Sequence, residues 1–315
     1  MSTNKPRVSI GMPVYNGDRF LKQSLDSILA QTFKDFELII SDNGSTDRTQ
    51  EICRAYAAND QRICYYRHEQ NLGAGWNQSR VVELSRGEYF KWAHHDDVCA
   101  PELLEQCVEV LDCNPSVVLC YPKTIIINED GQHIEKYEDG FNLRSSKPHE
   151  RFEQYHKLIR YGHRCHPFHG MIRTNTLKAT SLVGSYPSSD LILVGELVLH
   201  GEFYETPEYL FFKRDHPNTS VRAHRTYREH IAWYDPAKKG QLHLTRWRWF
   251  FEYLAAIRRV PMSWGEKAGC YIQIAKWCNW NWIWLAKDLM KATSWPFLQF
   301  FLFKSDSPIE KNAHI

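Results

Sequence analysis

The sequence predicts an α/β domain built on a mostly parallel sheet flanked by helices, continued by a helical C-terminal extension. Three observations carry this. Residues 7 to 120 alternate short apolar runs with stretches of helical periodicity. Three of the apolar runs end in polar clusters: Pro13-Val14-Tyr15-Asn16, Asp42-Asn43-Gly44-Ser45-Thr46-Asp47 and His94-His95-Asp96-Asp97. After Pro217 the pattern turns helical and basic-aromatic to about residue 293. A βαβα rhythm calls for a parallel sheet with helices on both faces. In such sheets ligands bind where the carboxyl ends of the strands converge.

Val8 to Met12 is a strand ended by Pro13, and Gly17-Asp18 opens a helix through Phe20, Leu21, Leu25, Ile28 and Leu29. Phe36 to Ser41 is the second strand, and Thr46-Asp47 offers an N-cap for a helix through Ile52, Tyr56 and Ala57. Ile63 to Arg67 is the third strand; Asn71-Leu72-Gly73 turns into a helix over Gly75 to Leu84; Tyr89 to Ala93 is the fourth. Pro101 suits the first turn of a helix through Leu103, Leu104, Val108 and Leu111, and Val117 to Tyr121 closes the series. From Ile125 the rhythm breaks. Asn128-Glu129-Asp130-Gly131 reads as a hairpin turn, residues 137 to 150 as loop, and 150 to 162 as a helix. A histidine-rich turn, a helix from Asn175, a helix over Leu191 to His200 ended by Gly201, and an extended run over Phe203 to Phe212 follow. The pattern divides into a main domain over 1–222, its rhythm changing at about residue 122, and a tryptophan-rich helical extension over 223–315.

At 315 residues and a net charge of +2, the chain can bury a sizeable core and lacks the charge excess of a nucleic-acid reader. Its nine cysteines are odd in number, scattered and without a CxxC pair, and no secretory signal is present at Met1 to Pro6, so reduced thiols in the cytoplasm are expected. No stretch reaches the roughly 18 apolar residues of a membrane span. Most of the eleven tryptophans lie after residue 246, beside Lys276, Lys287 and Lys291. Two readings stay open for that region: rings packed on the main domain, or a peripheral contact at the inner face of the cell membrane.

The chemistry sits at the strand ends. Breaking the anomeric bond of a sugar nucleotide leaves a diphosphate whose developing charge needs a cation, and Mg²⁺ or Mn²⁺ held by a carboxylate and the phosphates supplies it. Asp96 and Asp97 fit that need: one can bind metal while the other faces the ribose. Asp42 can accept a hydrogen bond from base or ribose, Tyr15 can stack on the base, and Asn71 and Gly73 let backbone approach the nucleotide. Singly each is an ordinary turn signal; together on successive strand ends they describe one site.

Pro13-Val14-Tyr15-Asn16, Asp42 to Asp47, Asn71-Leu72-Gly73 and His95-Asp96-Asp97 resemble, in order and spacing, the motifs of family-two inverting glycosyltransferases of the GT-A fold. The resemblance covers residues 7 to about 222 and implies a catalytic domain with a nucleotide half at about 7–122 and an acceptor half at about 123–222. It implies that Pro13, Tyr15, Asn16, Asn71 and Gly73 line the nucleotide site, that Asp42 contacts the nucleobase, that Asp96 lies near the ribose or sugar, and that Asp97 ligates the cation. A histidine stands where the family's first aspartate is usual. Asp190 matches the general base, with Ser189 where a glutamate is common, and Glu196, six residues on, is read as structural. Arg214-Asp215-His216 is similar to the family's Arg-x-His segment, whose histidine completes the metal shell or meets the diphosphate. Arg222 is placed to reach a phosphate. His163-Arg164-Cys165-His166-Pro167-Phe168-His169 matches no common zinc spacing and falls on the acceptor side, with His169 nearest the site.

These residues point to an inverting, cation-dependent glycosyltransferase taking a nucleotide sugar, a UDP-sugar foremost, and a glycan or lipid-linked acceptor, in surface polysaccharide synthesis. A non-catalytic sugar-nucleotide or glycan-binding protein and a sugar nucleotidyltransferase are the alternatives. A dinucleotide oxidoreductase is set aside, because Gly11 to Gly17 lacks G-x-G-x-x-G.

Overall fold

The computed structural model describes residues 5–160, 162–223 and 226–305. The first half runs β1 (Val8–Val14), α1 (Asp18–Leu29), β2 (Phe36–Asp42), α2 (Thr49–Asn59), β3 (Ile63–Arg67), α3 (Ala74–Leu84) and β4 (Tyr89–Trp92). The four strands pair in parallel in the order β3-β2-β1-β4. β1, β2 and β4 are buried on both faces, which is why β1 and β2 read as near-continuous apolar runs, while the edge strand β3 turns Tyr66 and Arg67 outward. On one face Ile10, Met12, Leu38 and Ile40 pack with Leu21, Leu25 and Ile28 of α1. On the other, Ile39, Phe90 and Trp92 pack with Val81 and Val82 of α3.

The second half holds β5 (Val98–Cys99), α4 (Leu103–Cys113), β6 (Val117–Ile127), β7 (His133–Tyr137), α5 (Pro148–Ile159), a 3-10 turn over His166–His169, β8 (Met171–Arg173), α6 (Thr174–Lys178), α7 (Ser189–His200) and β9 (Glu202–Arg214). The sheet continues from β4 through β8, β6, β9 and β5, with β7 on β6. Here it is no longer mostly parallel: β8 runs against both β4 and β6, β5 against β9 and β7 against β6, while β6 and β9 are parallel. The three-residue β8 is too short to show a period, and it joins the two halves. β6, expected to end at Tyr121, runs on to Ile127 because β9 pairs along it as far as Ile127↔Arg214. That pairing delivers the end of β9 to the loop after β4.

Past β9 come α8 (Ser220–Ala223), α9 (Tyr227–Tyr234), α10 (Thr245–Arg259) and α11 (Trp264–Ser305). Trp249 and Tyr253 of α10 and Cys270, Ile274 and Trp277 of α11 share one core with Tyr155 of α5 and the apolar face of α7. Buried Arg151 donates from Nε to Val198 O (2.7 Å) and from Nη2 to Leu199 O (3.3 Å), satisfying carbonyls at the end of α7. Among the described residues no helix is long and apolar enough to cross a membrane, and the nine cysteines are unpaired thiols.

Candidate active site

The loops after β1 to β4 lie on one rim and are tied side to side. Asn16 donates its backbone N–H to Ser45 Oγ (2.9 Å) and accepts Thr46 N at Oδ1 (2.8 Å). Gly17 N donates to Thr49 Oγ1 at 2.9 Å. A Cβ on Gly17 would lie 2.6 Å from the His95 ring, so this glycine lets the β1 and β4 loops touch. Asn43 Nδ2 donates to Asn71 Oδ1 (2.9 Å) and Asn43 Oδ1 accepts Leu72 N (3.0 Å), joining the β2 loop to the entrance of α3. Gly73 holds φ +94°, and a side chain there would strike Tyr234 O of α9. Tyr15 projects from the rim, 43% exposed, as a stacking surface needs. Pro13 lies in β1, one residue before its end, and is half-buried, and Asn71 is exposed in the loop after β3.

Asp42 is fully buried at the end of β2. Its Oδ1 accepts Ser45 N (2.8 Å) and its Oδ2 accepts the Tyr65 hydroxyl (2.7 Å), with Arg67 Nε at 3.6 Å. Two donors are present on a carboxylate that has room for about four.

Asp96 and Asp97 face different partners. Asp96 Oδ2 stands 3.1 Å from His216 Nε2. Asp97 Oδ1 accepts Arg214 N (3.0 Å) and its Oδ2 accepts Lys213 Nζ (3.0 Å). His216, expected beside Asp97, therefore meets Asp96, because adjacent residues turn their side chains apart and the end of β9 covers Asp97. Burial acts to raise both carboxyls. For Asp96 the Lys213 ammonium and the His216 bond outweigh it and hold the group well below the usual carboxylate range. For Asp97 burial, with repulsion from Asp96, wins and the group rises. Arg214, itself buried, donates from Nε to Asp96 O (2.9 Å), from Nη1 to Glu129 O (2.8 Å) and from Nη2 to Gln23 Oε1 (2.8 Å), which fixes the backbone under the pair. At 3.1 Å Asp96 Oδ2 and His216 Nε2 are hydrogen-bonded; two ligands at right angles around a small divalent cation, with bonds of about 2.1 Å, would lie at about the same separation.

Asp190 is the second residue of α7, after Ser188 at φ +61°. It is partly exposed, and burial raises its carboxyl against the pull of the Leu191 N–H. Trp249 Nε1 donates to Pro187 O (3.1 Å) and Tyr155 OH to Leu191 O (2.5 Å), so α10 and α5 brace the residues on either side. Glu196 points elsewhere: it is buried against Arg259 and accepts from Ser181 Oγ at 3.2 Å.

The histidine-rich segment splits. His163 and His166 sit on buried Asp139, at 3.5 and 3.2 Å. His169 turns to His94, ring centroids 4.6 Å apart. His94, Asp97 and His169 each place a donor atom within 4.8 Å of the others, but the Lys213 ammonium already sits on Asp97. Burial drives the His94 imidazole down to about 3, so it is neutral at physiological pH. Arg222 pairs with Asp215 at 2.6 Å.

The sequence reading missed two lysines. Lys213 neutralises the acidic pair, and its position directly before the Arg-x-His segment was the available signal. Lys91 is buried within β4, donating to His169 O and lying 5.3 Å from the Phe211 ring centre. No local signal distinguishes it from an exposed strand lysine.

The family model described as glycosyl transferase family 2 matches residues 9–176. An uncharacterized glycosyltransferase, MJ1057 of Methanocaldococcus jannaschii, is 33% identical over 137 residues, 43% of this chain and 47% of that protein. Chondroitin synthase of Escherichia coli is 32% identical over 137 residues, 44% of this chain and 19% of that protein. The matched stretch spans less than half the length of either relative. Among solved structures, S. aureus TarS 1–349 in complex with UDP-GlcNAc superposes with a TM-score of 0.59 at 15% identity, over 87% of this chain and 72% of that one. Mannosyltransferase PcManGT of Pyrobaculum calidifontis, in complex with GDP-Man and Mn²⁺, gives 0.51 at 15% identity, over 92% and 87%. At these identities the structural matches establish the GT-A type fold.

Proposed function

The chain belongs to glycosyl transferase family 2, and we propose that it is an inverting glycosyltransferase that moves a sugar from a nucleotide-sugar donor, a UDP-sugar foremost, to a glycan or lipid-linked acceptor. The observation that carries this reading is the single rim on which Tyr15, Asp42, Asn71-Gly73 and the Asp96–His216 pair converge, at the carboxyl ends of four parallel strands. A role in surface polysaccharide synthesis is supported by the likeness to chondroitin synthase.

In this mechanism Tyr15 stacks on the base, and buried Asp42, holding Ser45 N and the Tyr65 hydroxyl, sets the loop after β2 that meets the base. Pro13, Asn16 and the Asn71-Gly73 turn shape the walls. Asp96 and His216 hold Mn²⁺ or Mg²⁺, and Asp97, tied to Lys213 and Arg214, positions them. The cation, when bound, neutralises charge on the departing diphosphate. Asp190 takes the proton from the acceptor hydroxyl as that oxygen attacks the anomeric carbon from the face opposite the leaving group. One displacement inverts the centre, with no covalent enzyme intermediate.

The test is product identity. Incubated with UDP- and GDP-sugars and Mn²⁺, the protein should release a nucleoside diphosphate and transfer or slowly hydrolyse the sugar with inversion. Release of pyrophosphate from a nucleoside triphosphate and a sugar phosphate would identify a nucleotidyltransferase. Binding of the nucleotide sugar without any turnover across acceptors would favour a non-catalytic protein.

A further inference from the structure

The outer face of α11 is apolar where an ordinary surface helix is polar. At about 100° per residue, Trp264, Tyr271, Trp282 and Leu289 fall in one row and Ile272, Ile283 and Met290 in the next. All seven are exposed, Trp264 to 87%, Trp282 to 63% and Ile272 and Met290 to 60%. The strip between the rows holds Ala268, Ala275, Asn279 and Ala286 and no charge. From Trp264 to Met290 the strip is about 39 Å long. The opposite side of α11 packs on the domain through Cys270, Ile274 and Trp277. Neither of its two acidic residues over this length lies in the strip: Asp288 is buried and accepts Arg246 N (2.8 Å), and Glu266 caps the helix start at Ser263. Lysines border the strip. Lys267 follows one edge, and Lys276, paired with Glu153 at 3.0 Å, and Lys287 follow the other; Lys287 lies 4.5 Å from the Trp284 ring centre. Over residues 245–294 there are eight Lys and Arg against three Asp and Glu, a net of +5.

We propose that this face is an interfacial anchor that lies flat on an anionic lipid surface, its aromatic and aliphatic rows sunk at the headgroup boundary and its lysines on the lipid phosphates. Charge selects this occupant. A second copy applied across a two-fold axis would set the lysine borders against each other, whereas anionic headgroups complement them. The anchor is rigidly joined to the site, because α10, packed between α11 and α7, holds Pro187 through Trp249. On the reading of Asp190 as base, a lipid-carried acceptor reaches α7 from this side. The anchor itself does not depend on that reading.

The test is co-sedimentation of the full chain with vesicles of phosphatidylcholine alone and of equimolar phosphatidylcholine and phosphatidylglycerol. The parent should bind the anionic vesicles. A Trp282→Ser/Ile283→Ser double variant should lose at least about tenfold in partitioning while keeping the parent's circular dichroism and nucleotide affinity. Lys276→Glu/Lys287→Glu should weaken binding to anionic vesicles only. Failure of the parent to bind vesicles, or equal binding by the double variant, overturns the proposal. So does a concentration-dependent dimer that the double variant abolishes without any vesicle binding.

Discussion

His216 Nε2 stands 3.1 Å from Asp96 Oδ2, where the chain leaving β9 meets the loop that follows β4. Neither residue is placed for the other by its own half of the sheet. They meet because β9 pairs with β6 to its last residue and Arg214 locks the Asp96 backbone. If this pair holds the cation, His216→Ala should remove the manganese-dependent part of nucleotide stabilisation. In thermal melts, UDP with Mn²⁺ should raise the parent's Tm by several degrees and leave the variant's within a degree of its UDP-only value.

Asp190 gives a pH prediction. A general base works ionised, and burial raises this carboxyl, so kcat should fall with decreasing pH through an apparent pKa above the ordinary aspartate range. Asp190→Asn should lose about 10³-fold in kcat, abolish that limb of the profile, and leave nucleotide affinity unchanged. A variant that keeps the parent's turnover contradicts the assignment.

The four strand ends were legible because apolar runs broken by Pro, Asn, Asp and Gly are a local signal. Which partners Asp96 and Asp97 each meet was not. Neighbours in sequence, they are told apart only by β9, more than a hundred residues away, which takes both oxygens of Asp97. The mixed half of the sheet was hidden in the same way, since β8 is three residues long and its direction is set by partners. The tail was half legible. Packing on the domain holds for Trp249 and Trp277, but with apolar residues around most of α11, only the fold shows which side is left outside.

Gly73 tests the seam between the rim and the C-terminal region. Its positive φ and the closeness of Tyr234 O leave no room for a Cβ. Gly73→Ala should weaken nucleotide binding by about 2 kcal/mol, read by equilibrium titration, by shifting the Asn43–Asn71 contact.

Glu196 tests the tie between α7 and α10. Its carboxylate is buried and its cation is Arg259. Arg259→Ala should cost about 2 kcal/mol in urea unfolding with an unchanged slope, and adding Glu196→Gln should recover part of that loss.

The most direct measurement is calorimetric binding of UDP, GDP and dTDP, with and without Mn²⁺, to the parent, Asp96→Ala and a control variant of exposed Glu51, Glu51→Ala. One nucleotide should bind the parent and the control far more tightly with Mn²⁺, and Asp96→Ala should lose that gain. Binding of none of the three, or binding indifferent to both Mn²⁺ and Asp96, would contradict a cation-assisted nucleotide-sugar site on this rim.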